Sequence, residues 1–206
     1  MKNRKLMPKA IIIANPAGIP VLTLPKGETL EMASTAFSAV FGTLKSMTTK
    51  KEIEITTQNF KIFVRFIIDL GYILIIADKD LSEKESWIPY SILYEMEEVL
   101  LESGTSYVTD EEISLFMKKY EEILDKNERI LEKLKSIEKK FLVLKKLIGN
   151  EVFSLLMKCS RNLLSFEDGI KVNADMVKKE KITHSKIFEI VSNCEKLFID
   201  AVKSYI

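Results

Sequence analysis

At 206 residues the chain can hold one domain, or a small domain with an extension. Its 47% hydrophobic content allows a real core, and a 30% charged fraction argues for a wetted surface. Thirty-one basic against thirty acidic residues leave a formal charge of +1, which gives no global attraction for nucleic acid.

In chain order, Ala10 to Asn15 and Pro20 to Leu24 are short, β-branched-rich runs on either side of a turn. Pro16 at the second turn position and Gly18 at the fourth suit a type I turn with a bulge. A phosphate cradle would need more glycines and a Lys-Ser/Thr pair opening a helix, so this opening reads as a hairpin. Glu28 to Met47 reads as a helix, with Glu28 and Glu31 near its start and Lys45 near its end, matching the macrodipole. No charge occurs from Met32 to Leu44. Glu52 to Thr56, Phe60 to Ile68 and Tyr72 to Asp78 are three further strands, joined by Gln58-Asn59 and Asp69-Leu70-Gly71. Ser82 with Glu85 predicts the cap of a second helix, running to about Ser103.

Strand parity adds a constraint. Phe60, Ile62, Val64, Phe66 and Ile68 share one face, while Phe63 and Ile67 share the other. Ile73 and Ile75 oppose Leu74 and Ile76 in the same way. A sheet apolar on both faces must be covered on both, by helices or by a partner. The expected fold is α+β, with a five-stranded antiparallel sheet in ββ-α-βββ-α order over residues 8–103.

The residues "IIIANPAGIPVLTL", the small-residue helix "MASTAFSAVFGTLKSM" and the strands "EIEIT", "FKIFVRFII" and "YILIIAD" resemble the roadblock/longin superfamily. Roadblock proteins share the hairpin and the alanine-rich helix. Longin domains share the ββ-α-βββ-α order and begin directly with a strand, as here after a short polar leader. The resemblance covers about half the chain. It implies a non-enzymatic platform that dimerises or pairs with related subunits, and that binds a small Ras-like GTPase, in some members in membrane traffic. It also makes the charge-free helix a pairing surface, with Ala36, Ala39 and Gly42 near the contact. The plain alternative is that this helix lies close on its own sheet.

After Thr109 the chain contains no proline and reads as helix, so residues 109–206 form a helical extension. Gly104 suits a helix end, and Thr109 with Glu112 makes a capping box. With Ile113 as position a, the a series is Ile113, Tyr120, Asn127, Leu134, Phe141 and Ile148, and the d series is Phe116, Ile123, Ile130, Ile137 and Leu144. Only Asn127 interrupts this seam, and one polar a residue often sets register and pairing in coiled coils. Met117, Leu124 and Leu131 widen the stripe, which favours a bundle. Helices are expected over about 110–148, 151–166 and 174–205. The last carries a stripe of Ile187, Ile190, Val191, Cys194, Leu197, Phe198 and Ala201. A helical hairpin, a three-helix bundle and a coiled-coil stalk all fit.

No residue set forms a catalytic motif, and no metal or cofactor site is expected. His184 is the sole histidine and reads as a solvated residue at a helix start. Cys159 and Cys194 sit at helical spacing among apolar residues and read as core thiols. Lys178, Lys179 and Lys181 read as a solvated face, or as a patch for an acidic lipid or partner. Trp87 and Tyr90 are either a partner anchor or pins that hold the second helix to the sheet. Phe63, on the second sheet face, joins Trp87, Asn127, Ala36, Ala39 and Gly42 as the candidate partner-binding residues. No apolar run is clean enough for a membrane span, since Lys61, Arg65 and Asp69 break the longest. Nothing ahead of the first strand reads as a cleavable signal, and a cytoplasmic location, peripheral to membranes only through a partner, is expected. The expected function is therefore a non-catalytic adaptor. A longin-SNARE-like traffic protein is the alternative, weakened by the stop at Gly149 and the missing anchor.

Overall fold

A computed structural model describes residues 8–27, 39–43, 48–82, 85–103, 109–150 and 174–205. The chain is α+β. Its strands are β1 (Ala10–Ala14), β2 (Pro20–Leu24), β3 (Glu52–Thr56), β4 (Phe60–Ile67) and β5 (Gly71–Asp78). The helices that follow are α1 (Ile88–Ser103), α2 (Asp110–Ile148), α3 (Ala174–Glu180) and α4 (His184–Tyr205). All strand pairs are antiparallel, in the spatial order β2-β1-β5-β4-β3. The last strand in sequence is therefore the central one. The connection from β2 to β3 must cross from one sheet edge to the other, and its helical residues 39–43 bury Phe41 against the Tyr72 ring.

The opening turn has the geometry its residues predict. Gly18 N–H donates to Asn15 O at 2.9 Å, Gly18 takes φ 84°, and the β1–β2 register shifts between Ile13 and Ala14. The Asn15 side chain accepts from Ile19 N–H at 2.9 Å, closing the loop. At the β4–β5 turn Asp69 has φ 64° and Gly71 φ 113°. Ile68, expected as the end of β4, lies beyond the strand and is 71% exposed, because the chain turns there.

Both sheet faces are buried. Ile12, Ile62, Val64, Phe66, Leu74 and Ile76 form one layer with Phe41. Ile11, Ile13, Phe63, Ile67, Ile73 and Ile75 form the other, in one continuous core with α1, α2 and α4. The two halves of the chain thus share their larger core. Within α2 the seam residues Phe116, Ile123, Ile130 and Ile137 are all buried, as are Ile187, Val191 and Cys194 of α4. At this helix–helix contact the stripes meet within the chain, as amphipathic helices require.

Two helix boundaries differ from the sequence reading. Ser82 and Glu85 do make a cap, with the Ser82 amide and hydroxyl donating to the Glu85 carboxylate, but a single tight turn follows and α1 begins only at Ile88. The expected helix over 174–205 is two helices. Lys181 adopts φ 50° and Ile182 N–H returns to Val177 O at 3.2 Å, a left-handed helix end. Thr183 then opens α4, its carbonyl accepting from Ile187 N–H at 3.0 Å and its hydroxyl from Lys186 N–H at 3.4 Å. The capping box on α2 is present in both directions between Thr109 and Glu112. Ala36, Gly104, Cys159, the expected helix over 151–166, the expected helix over 28–47 outside 39–43, and the side chains of Leu144, Leu197, Phe198 and Ala201 lie outside the described residues.

Candidate functional site

Of the six candidate partner residues, Ala36 lies outside the described residues and the other five do not converge on one surface. Phe63 is buried under α1, edge-on to the Tyr90 ring at 5.2 Å. Trp87 is fully buried, its ring 6.2 Å from that of His184. Asn127 is buried and bonded to His184 at 2.7 Å. These three side chains complete the chain's own interior and present no surface to a partner, which corrects their reading as contact residues. Ala39 is exposed and Gly42 half-buried. A Cβ on Gly42 would sit 3.8 Å from the Gly18 Cα, so residues 39–43 lie beside the hairpin turn.

That placement defines one end of the sheet. Gly71 abuts Ala14 and Asn15, which brings the β4–β5 turn to the same end as the hairpin. Ile19, Val40 and Ile68, each more than half exposed, lie around it with Ala39. This apolar group, with the exposed Asp69 beside Ile68, is the candidate interaction surface.

Two polar assemblies escaped the sequence reading. The first lines the β3 edge. Arg65, noted in the sequence only as a break in an apolar run, is 3% exposed and pairs with both Glu52 and Glu97. Its guanidinium lies 4.9 Å from the centre of the Tyr94 ring, and the Tyr94 hydroxyl donates to Glu52 at 3.0 Å. Tyr90 donates to Glu54 and carries the Lys178 ammonium 4.1 Å above its ring. Burial, then the neighbouring glutamates, hold both phenols above their ordinary ionisation range. The register offered one signal: Arg65 shares the face of Phe63 and Ile67 and stands opposite Glu52.

The second assembly joins α1, α2 and α4. Glu95, 2% exposed, accepts from the Ser185 amide at 3.0 Å, from the Ser185 hydroxyl, and from Lys119 at 2.7 Å. Burial alone pushes the Glu95 carboxyl up, but Lys119 and Ser185 bring it below its ordinary value. Lys126 donates to the Ser185 hydroxyl at 3.1 Å. His184, expected in solvent, is fully buried beside them. A carboxylate placed on the first turn of α4 satisfies an orphan amide and meets the positive end of the helix dipole.

These residue types also serve in catalysis, so their arrangement matters. Ser185 donates its hydroxyl hydrogen bond to a carboxylate already paired with Lys119, and His184 bonds to Asn127 rather than to a nucleophile. A nucleophile needs a base free to take its proton, and the base here is engaged in capping. Among the described residues, no group of three His, Cys, Asp or Glu is placed to hold a metal ion, and no helix is long and apolar enough to cross a membrane. No protein-family model and no curated protein matches this chain.

Proposed function

We propose that this chain is a non-catalytic adaptor or scaffold subunit of the longin/roadblock kind, pairing with itself or a related subunit and binding a small Ras-like GTPase, in a setting such as membrane traffic. The observation that carries the reading is the set of exposed apolar residues Ile19, Ala39, Val40 and Ile68 at one end of the sheet, with the exposed Asp69 beside Ile68, on a protein whose sheet faces are buried. Exposed apolar residues gathered at one place favour contact with another protein. The sequence resemblance supplies the kind of partner, and the α+β chain with a five-stranded antiparallel sheet supports the reading at that coarser level only. The SNARE-like alternative gains no support. Asn127 would have to face a partner helix as a polar layer, and its side chain is bonded to His184 of the same chain.

Light scattering of the full chain and of an Ala39→Glu variant tests the pairing. The expected result is a wild-type dimer and a folded monomeric variant, since a charge at a two-fold contact meets its own copy. A wild-type monomer removes self-pairing. Pull-down against Ras-like GTPases in both nucleotide states tests the second clause, and binding to neither state removes it.

A further inference from the structure

The first turn of α4 is held by polar contacts rather than apolar ones. Ser185 bonds to Glu95 of α1 and to Lys126 of α2, and His184 bonds to Asn127 of α2. His184 is the member that the adaptor reading leaves unused. With Nε2 2.7 Å from the Asn127 Oδ1, the ring donates through Nε2 and keeps its lone pair on Nδ1. That buried Nδ1 has no hydrogen-bond partner among the described residues.

A second proton on this ring would put a donor and a positive charge where no acceptor among the described residues faces it. From α1 the facing charge is Glu95, already shared by Lys119 and Ser185, and just before α1 the Trp87 ring packs alongside. From α2 the facing charges are Lys119 and Lys126, both cationic and both paired with Glu122 at 3.9 and 3.8 Å. On α4 itself the next charge, Lys186, is exposed and pairs with Glu189. A buried cation so surrounded is destabilised by lost hydration and by two like charges.

We propose that His184 is an acid-sensitive latch: when neutral it holds the first turn of α4 in the junction with α1 and α2, and when protonated it lets α4 leave that junction while the five-stranded sheet stays folded. The sheet keeps its helix by separate contacts, Tyr90 on Phe63, Arg65 with Glu97 and Tyr94 with Glu52, none of which involves the junction. Burial, with the two lysines, pushes the His184 ring down to about 4 against an opposing pull from Glu95. The open ring titrates near its ordinary value of about 6.5, so the junction is fully stable above that pH and loosens as pH falls toward the folded value. Between those limits opening grows about tenfold per pH unit, on the order of 20-fold from about pH 7 to about pH 5.

Because the chain has one histidine, its ring signals in NMR are unambiguous. Backbone hydrogen exchange of the intact protein, corrected for the intrinsic pH dependence, reads α4 and β5 separately. The expected result is a roughly 20-fold loss of α4 protection over that pH range, with α4 less protected than β5 at every pH and a His184→Gln variant flat. Equal pH dependence in His184→Gln overturns the latch and transfers the effect to Glu95. Equal protection of α4 and β5 at every pH overturns it as well, since the opening is then global. Should the variant fail to fold, the wild-type ring decides. Protonation that accompanies α4 opening supports the latch, and titration near about 6.5 with α4 still protected refutes it.

Discussion

Replacing Gly71 by alanine tests the architecture of the sheet at its tightest point. An added Cβ would lie 1.9 Å from the Ala14 carbonyl oxygen and within 3 Å of the Ala14 and Asn15 carbonyl carbons, all main-chain atoms. No side-chain rotation relieves such an overlap, so β1 and β5 must separate where Ala14 pairs with Tyr72. The φ of 113° adds backbone strain of about 1–3 kcal/mol for any residue with a Cβ. Parting the central strand pair disturbs both cores, and overpacking of this kind costs roughly another 1–3 kcal/mol. The expected loss is therefore about 3–5 kcal/mol. With a urea slope of about 3 kcal/mol per molar, the midpoint falls by more than about 1 M. Gly42→Ala is the matched control. Its Cβ meets only Gly18 Cα at an ordinary 3.8 Å within helical residues 39–43, so the change should be neutral or stabilising by up to about 1 kcal/mol. If Gly71→Ala unfolds within about 0.5 kcal/mol of wild type, the β1–β5 approach is wrong and the central position of β5 with it.

Arg65→Met should cost about 3–5 kcal/mol by denaturation, because Glu52 and Glu97 lose the buried guanidinium that balances them. A Glu52→Gln, Arg65→Met, Glu97→Gln triple variant should recover part of that loss. Thr109→Ala removes both arms of the capping box on α2 and should lower stability by about 1 kcal/mol, readable as a small midpoint shift with an unchanged urea slope. Tyr90 and Tyr94 have folded pKa values above the ordinary phenol value of about 10, so their contribution is complete below that pH and is lost as pH rises past it. Absorbance at alkaline pH should show these two phenols ionising together with unfolding, and ionisation in the folded protein near pH 10 would contradict the Glu52 and Glu54 contacts.

Local pattern was enough wherever an element's identity rests on its own neighbours. The five strands, the Asn15–Gly18 turn and the α2 cap follow from parity, from Gly at a left-handed φ and from Thr109–Glu112 reciprocity, all of which operate within a few residues. The double burial of the sheet was also legible, because Phe63 and Val64 are both apolar and must face opposite ways. Partner choice was not legible. The seam of α2 announced a helix to bury it, but nothing in the heptads says that α4 of the same chain does so, nor that Asn127 meets His184 57 residues away. His184 looked like solvent-facing polarity because its neighbours Thr183, Ser185 and Lys186 are polar. Its burial depends on Trp87 and Asn127 arriving from two other elements. Arg65 looked like an interruption for the same reason, since the glutamates that neutralise it come from β3 and α1. The position of β5 between β1 and β4 likewise depends on how the long connection from β2 to β3 crosses the sheet. Contacts of short range are written in the order of residues. Which surfaces meet at long range is decided by the packing of the whole chain, and only the tertiary structure shows it.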